Sequence, residues 1–256
     1  MPRNPRHDSI LRILSKRKQV TVGELTERLS VSEVTVRKDL SLLEDAGYLV
    51  RTRGGAMLAE DREHAVTLSV RRKKHIAEKQ AIAGMARTLV HDGDTIFIDS
   101  GSTCAIFAGT LSGMSLRVVT NSIDVLVALS QEEGINLYSL GGSLRNEAGS
   151  FIGPQALESL KNYQIEACFM GTTGFSSDAV FSAQNINEAQ IKRAVIEKAE
   201  RSVVLADRSK LGVNAFSVFA RSEEIDILVS DVKPEEAEQL RRLELELLIA
   251  NSPQTA

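Results

Sequence analysis

From residue 78 onward the chain alternates short, unbroken apolar runs with longer helix-like segments. The runs are TIFID (95 to 99), LRVVTN (116 to 121), INLYSLGG, EACFMG, SVVLAD, DILVSD and a last one near LELLIA. Between several of them lie KQAIAGMARTLV, SIDVLVALSQEEG, ALESLKNY, NEAQIKRAVIEKAERS and PEEAEQLRRLE, with a further helix starting from Thr103. A strand with one wet face alternates apolar and polar residues, whereas a strand apolar throughout must be covered on both faces. Helices do this in a largely parallel sheet, so the pattern predicts an α/β sandwich. In such sheets ligands bind beyond the carboxyl ends of the strands.

Those ends are unusually polar. They read Asp99-Ser100-Gly101-Ser102-Thr103, Thr120-Asn121, Gly141-Gly142, Gly171-Thr172-Thr173-Gly174 and Asp207-Arg208-Ser209-Lys210. Ser, Gly and Asp are ordinary turn formers, but five such ends at equivalent places in one sheet exceed what turns require. The chemistry they suit is the anchoring of a phosphorylated polyol. Ser102 and Thr103 fall where a helix begins, so backbone N–H groups, the positive end of the dipole and two hydroxyls can face a phosphate. Gly101 lets the backbone approach closely. Lys192 or Lys210 can supply a cation and Arg145 a further one, while Asp99, Asn121 and Asp207 can bond to sugar hydroxyls.

The first 59 residues differ in charge from the rest. They hold 11 Lys and Arg against 7 Asp and Glu, while the remainder holds 20 against 27. A basic head on an acidic body suggests a polyanion for the head. In HDSILRILSKR the apolar Ile10, Leu11, Ile13 and Leu14 fall on one side of a helix. In TVGELTERL, Thr21 and Glu24 have the spacing of a capping box. Ser32 caps a third helix, SEVTVRKDLSLLEDAG, whose Val36, Leu40 and Leu43 form one stripe and whose end is marked by Gly47. That stripe leaves Ser32, Thr35, Arg37 and Lys38 on a short, polar, cationic outer surface. Two short helices joined by a tight turn are a helix-turn-helix, in which the second helix enters the major groove by its N-terminal end. YLVRTRGGAML then alternates Tyr48, Val50 and Thr52 against Leu49, Arg51 and Arg53 and turns at Gly54-Gly55, which predicts a basic wing. The candidate DNA contacts are Ser32, Thr35, Arg37, Lys38, Arg51 and Arg53.

The stretch VTVGELTERLSVSEVTVRKDLSLLEDAGYLVRTRGGA resembles the N-terminal signature of DeoR-type bacterial transcription repressors. It departs mildly: Val36 stands at a usual Ile, Lys38 at a usual Arg, and Arg53 where His is common. The body resembles the sugar-phosphate sensor domain of the same family through DSGST, VVTNS, LGGSLR, GTTGFS, the NEAQIK helix and ADRSKLG, and is similar in fold to ribose-5-phosphate isomerase type A. Cys104 stands where a third hydroxyl is frequent. The resemblance implies a winged helix-turn-helix over 3–58, a linker over 59–77 and a sensor domain over 78–251. It also implies a phosphorylated sugar as effector, held by Asp99, Ser100, Gly101, Ser102, Thr103, Thr120, Asn121, Gly141, Gly142, Arg145, Gly171, Gly174, Lys192, Asp207 and Lys210.

A body of this kind can sense its ligand or transform it. Isomerisation or deamination needs a general base beside the reacting carbon. None of the four histidines lies in a strand-end loop, which leaves Asp99, Asp207, Glu188 or Lys210, and these do not exclude activity. A DNA-reading head joined to a phosphate pocket makes sense if occupancy of the pocket changes the affinity of the head, and the coupling is then reciprocal. The favoured expectation is a repressor controlled by a sugar phosphate. A sugar-phosphate isomerase-like enzyme carrying a DNA-binding head is the alternative, and an architectural DNA-binding protein whose body only oligomerises is a third. A helix-turn-helix monomer reads a short half-site, so a homodimer or homotetramer is expected. Cys104 and Cys168 lie in core-like segments without metal-ligand spacing, which predicts free thiols and neither metal nor cofactor. No apolar stretch reaches the roughly 18 residues a membrane span needs, and the first residues lack the apolar core of a signal peptide. A cytoplasmic protein without membrane partners is expected.

Overall fold

The computed structural model describes residues 5–17, 19–45, 49–52, 54–58 and 68–251. The sequence expectations at Gly47, Tyr48 and Arg53, and those for the first part of the linker, lie outside these residues. The chain divides into two compact units, 1–74 and 75–256.

In the first unit, α1 (Pro5–Arg17), β1 (Gln19–Thr21), α2 (Val22–Leu29), α3 (Glu33–Asp45), β2 (Leu49–Thr52) and β3 (Gly55–Leu58) are followed by α4 (Leu68–Lys73). The three strands form one antiparallel sheet in the order β1-β3-β2, so the fold is a winged helix-turn-helix. Thr21 closes β1 and opens α2. Its Oγ accepts the Glu24 N–H at 3.2 Å, and Glu24 Oε2 accepts the Thr21 N–H at 2.8 Å, which is the capping box the spacing predicts. Ser30, at φ 53, takes the left-handed conformation that turns α2 towards α3. Ile10, Leu14, Val20, Val22, Leu25, Val36, Leu40, Leu43, Leu49 and Ala56 form the core. The predicted alternation of the wing fails at Leu49 and Val50, which are both buried. The third strand, β1, is too short to carry a period of two, and its pairing with β3 comes from the fold.

A charge sits inside this unit. Asp39, on α3, is buried and accepts bonds from Arg6 Nε, from Arg6 Nη2 at 3.0 Å and from His7 at 3.2 Å. The ion pair with Arg6 outweighs the cost of burial and, helped by His7, holds the Asp39 carboxyl below the ordinary carboxylate range. The start of α1 is thereby fastened to the middle of α3.

In the second unit, α5 (Ile76–Arg87) precedes a regular alternation: β4 (Thr95–Ile98), α6 (Ser102–Gly109), β5 (Leu116–Thr120), α7 (Ile123–Leu129) and β6 (Ile135–Ser139). There follow β7 (Ser143–Arg145), β8 (Ser150–Ile152), α8 (Pro154–Leu160), β9 (Ile165–Gly171), β10 (Gly174–Phe175), β11 (Phe181–Ala183) and α9 (Ile186–Lys198). The unit ends with β12 (Ala199–Leu205), β13 (Ser217–Ala220), β14 (Ile227–Ser230), α10 (Pro234–Leu240) and β15 (Glu246–Ile249). Seven strands form an all-parallel sheet in the order β15-β14-β12-β9-β4-β5-β6. One apolar cluster, with Ile82, Phe107, Val125 and Ile98, covers one face; a second, with Leu160, Ile191, Val195, Phe219 and Leu240, covers the other. The α/β reading therefore holds.

Two details differ from the expectation. Residues 199–202, read as the end of a helix, begin β12, because the parallel partner β9 takes up their backbone from Ala199↔Ile165 onward. Two small antiparallel sheets, β7-β8 and β10-β11-β13, decorate the carboxyl end; strands of two to four residues leave no periodic signal.

Two predictions follow from the first unit. The unfolded chain protonates Asp39 before the folded head does. The stabilisation is therefore fully present above the ordinary value of 3.8 and is lost as pH falls below it towards the depressed folded value. Asp39→Asn is expected to flatten that acid limb in urea titrations between about pH 3 and 6 followed by the Ile10, Leu14 and Leu40 methyl resonances. Two glycines should behave oppositely. A Cβ at Gly55 would overlap the Val20 carbonyl, whereas one at Gly23, within α2, meets nothing within 4 Å. Gly55→Ala is expected to destabilise the head by about 1–3 kcal/mol or more, and Gly23→Ala to stabilise it by about 0.5–1 kcal/mol, read from hydrogen exchange of peptides spanning 19–44.

Candidate functional site

In the head, the outward face of α3 carries the sequence-predicted polar residues. Ser32, Arg37 and Lys38 are exposed and Thr35 is half-exposed. Ser32 and Thr35 share a hydroxyl–hydroxyl bond of 2.9 Å, and the Thr35 N–H donates to Ser32 Oγ at 3.3 Å. Arg37 donates to Glu33 Oε2 at 3.2 Å, one turn back. Both partners of that pair are more than half exposed, so it is weak and readily exchanged for another anion. Arg51 is exposed on β2, where its backbone N–H donates to Glu44 Oε1 at 2.9 Å and ties the wing to the end of α3. Val34, which polarity-based reading of the helix passes over, stands on the same face.

In the body, the order of the parallel strands reverses between β4 and β9: β5 and β6 are added outward on one side of β4, and β9, β12, β14 and β15 outward on the other, all pointing the same way. Such a switch point opens a crevice at the carboxyl ends. Asp99 follows β4 there and is buried. Its Oδ2 accepts the Gly171 N–H at 3.0 Å and an ion pair from Lys192 Nζ, and Lys192 also donates to the Gly171 carbonyl at 2.8 Å. The Phe219 ring lies 5.3 Å from the ammonium, within range of a cation–π attraction. Gly171 leaves little room for a side chain, since a Cβ would sit 3.0 Å from the Ser100 carbonyl. Three elements thus meet at one buried pair.

Around it lie groups with spare bonding capacity. Asn121 and Asp207 are as buried as Asp99. They continue β5 and β12, so the three residues occupy neighbouring strand ends on either side of β9. Among the described residues, Asp99 Oδ1, Asn121 Oδ1 and Asp207 Oδ2 are buried acceptors without a protein donor. Ser100, Ser102 and Thr103 line the first turn of α6, which starts at Gly101 with φ 129. Ser122 caps α7 and Asn185 caps α9, but no side chain caps α6. Its leading N–H groups are thus left to another acceptor. Cys104 fills the floor; burial, reinforced by Asp99, raises its thiol pKa, so it packs as a neutral group.

Other sequence-predicted residues have tasks within the fold. The Thr120 hydroxyl donates to the Ile98 carbonyl and accepts the Ser122 N–H. Gly141 and Gly142 have φ of 64 and 105, and a Cβ on Gly142 would lie 2.7 Å from the Ile152 carbonyl, so the pair turns the chain beneath β8. A Cβ on Gly174 would overlap Val213. Lys210 is half-buried in a short 3₁₀ turn that begins at Asp207. Arg145 donates to Glu188 Oε1 at 2.8 Å, and Ser150 donates to the same oxygen at 3.1 Å. The β7-β8 hairpin is thereby pinned to the first turn of α9. Glu188 was readable as a possible catalyst but not as this anchor; its signal was its place three residues after Asn185, which caps the helix.

Residues 6–62 match the DeoR-like helix-turn-helix domain and residues 74–232 the DeoR C terminal sensor domain. The chain is 35% identical over 243 residues to the HTH-type transcriptional repressor GlcR of Bacillus subtilis, covering 94% of each chain. It is 30% identical over 235 residues to the glycerol-3-phosphate regulon repressor of Escherichia coli, covering 91% of this chain and 93% of that one. Ribose 5-phosphate isomerase A from Methanocaldococcus jannaschii is 23% identical with a TM-score of 0.39, covering 52% of this chain and 53% of that chain. Both sequence relatives are named as repressors rather than enzymes. With a helix-turn-helix domain and a sensor domain matched in order along nearly the whole chain, the protein belongs to the DeoR family of transcriptional regulators.

Proposed function

We propose that the protein is a repressor of carbohydrate genes whose affinity for operator DNA is set by a phosphorylated sugar bound at the carboxyl ends of β4, β5, β9 and β12. The observation that carries this reading is the row of donor-less buried oxygens on Asp99, Asn121 and Asp207 beside the uncapped start of α6. Buried acceptors without donors cost about 1–3 kcal/mol each, and sugar hydroxyls are donors of the right kind. The N–H groups of α6, with Ser102 and Thr103, suit the phosphate. The hydroxyl end and the anionic end of one small molecule are both provided for. A relative named for the glycerol-3-phosphate regulon accords with a small phosphorylated polyol. Among the described residues no helix is long and apolar enough to cross a membrane, in keeping with action on DNA in the cytoplasm. Two heads in a dimer would read two half-sites, through Ser32, Thr35, Arg37 and Lys38 in the groove and Arg51 on the wing, with Arg53, outside the described residues, as a further candidate contact.

Thermal unfolding against a panel of aldose and ketose phosphates checks the pocket. At 100 times Kd the cognate compound is expected to add about 2.7 kcal/mol, while its unphosphorylated counterpart adds little; no shift with any phosphorylated sugar would sink the reading. Ser102→Asp places a negative charge at the start of α6 and is expected to abolish that shift while leaving DNA binding intact. In the head, Arg37→Ala is expected to weaken operator binding by about 1–3 kcal/mol and relax specificity at one position of each half-site, measured by mobility shift at fixed salt; unchanged affinity removes Arg37 from the interface.

A further inference from the structure

Val34 is the most exposed large apolar side chain among the described residues of the head, with 77% of its surface accessible. An exposed valine alone means little, but its position is specific. At 100° per residue it projects opposite the buried stripe of Val36, Leu40 and Leu43, on the first turn of α3 and one turn before Lys38. The polar residues on both sides are bonded to each other: Ser32 with Thr35 at 2.9 Å on one flank, Glu33 with Arg37 at 3.2 Å on the other. Val34 stands between these pairs as an apolar knob. A β-branched residue at a solvated helical position also lowers helix propensity relative to alanine, so folding alone gives no reason for it.

We infer that Val34 reads the 5-methyl group of a thymine in the major groove, which makes it a specificity-determining residue for operator choice. This rests on the helix-turn-helix reading of the head. A side chain without a polar atom cannot bond to a base edge, and pressing it against donors or acceptors would strip them of water without replacement. Among the four base edges, thymine alone presents an apolar group in the major groove. Val34 therefore adds selectivity by shape and burial where its neighbours add polar contacts.

The test uses the full-length protein and a duplex consensus selected from a random pool. Each thymine of a half-site is then replaced singly by deoxyuridine, which removes the methyl group alone. Wild type is expected to lose about three- to fivefold in affinity at one thymine of each half-site, the effect of burying one methyl-sized group. Val34→Ala should bind the thymine and deoxyuridine duplexes equally and should lose its base preference at that position on reselection. Because the side chain is exposed and alanine favours helix, weaker binding in this variant cannot come from unfolding, and unchanged thermal unfolding verifies this. If wild type tolerates deoxyuridine everywhere, or if Val34→Ala keeps the same discrimination, Val34 does not read the methyl group. If no duplex sequence is enriched at all, the reading of the head as an operator binder fails together with the inference.

Discussion

The body depends on one buried ion pair at the place where the strand order reverses. Removing two charges from water costs several kcal/mol per ion, which good geometry and additional hydrogen bonds offset. Here Lys192 also reaches the Gly171 carbonyl and the Phe219 ring, and Asp99 also receives the Gly171 N–H. The pair therefore fastens α9 to β4 and β9 at once. Glu188 lies one turn before Lys192 on the same helix face and holds Arg145 and Ser150 of the neighbouring hairpin. A rigid helix thus carries two charges, one gripping the strand ends and one gripping the hairpin, and they cannot move independently.

The head solves a similar problem with Asp39. Among the described residues ten buried apolar side chains form its small core, and the ion pair with Arg6 adds a directional constraint that apolar packing lacks. Hydrophobic contact lets helices slide by a fraction of a turn, whereas a carboxylate held by a guanidinium and an imidazole fixes one azimuth. The outer face of α3 is presented at a defined angle as a result.

Much of this was legible in the sequence because the signals were local or periodic. The capping box at Thr21 and Glu24, the stripe of Val36, Leu40 and Leu43 and the unbroken apolar runs of the parallel strands each depend on spacing within one element. The clustering of polar residues at strand ends was legible for the same reason, since a parallel sheet brings all carboxyl ends to one edge. What spacing could not show was how each polar group spends its bonds. Thr120 and Asn121 are adjacent and chemically alike in sequence, yet the threonine hydroxyl is consumed by backbone while the amide oxygen has no donor. Arg145 and Lys192 both read as cations, and only the fold shows one paired with Glu188 of α9 and the other with Asp99 at the switch point. Asp39 escaped notice because its partner is over thirty residues away, and the five small decorating strands because they are shorter than any period.

The contact of Gly55 with the Val20 carbonyl has a consequence for how the wing can change. The Val22 N–H donates to the Gly54 carbonyl at 2.8 Å, and the absence of a side chain at Gly55 lets β3 lie against β1, so the β2-β3 hairpin is locked in register at its turn, where Thr52 pairs with Gly55. Lengthening or shortening the turn between β2 and β3 would therefore displace Gly54 from the Val22 N–H and Gly55 from the Val20 carbonyl. A one-residue slip below the lock would turn every core-facing side chain of β3 outward. The wing can thus change its charge at an exposed position such as Arg51, but its turn is held at one length by the fold.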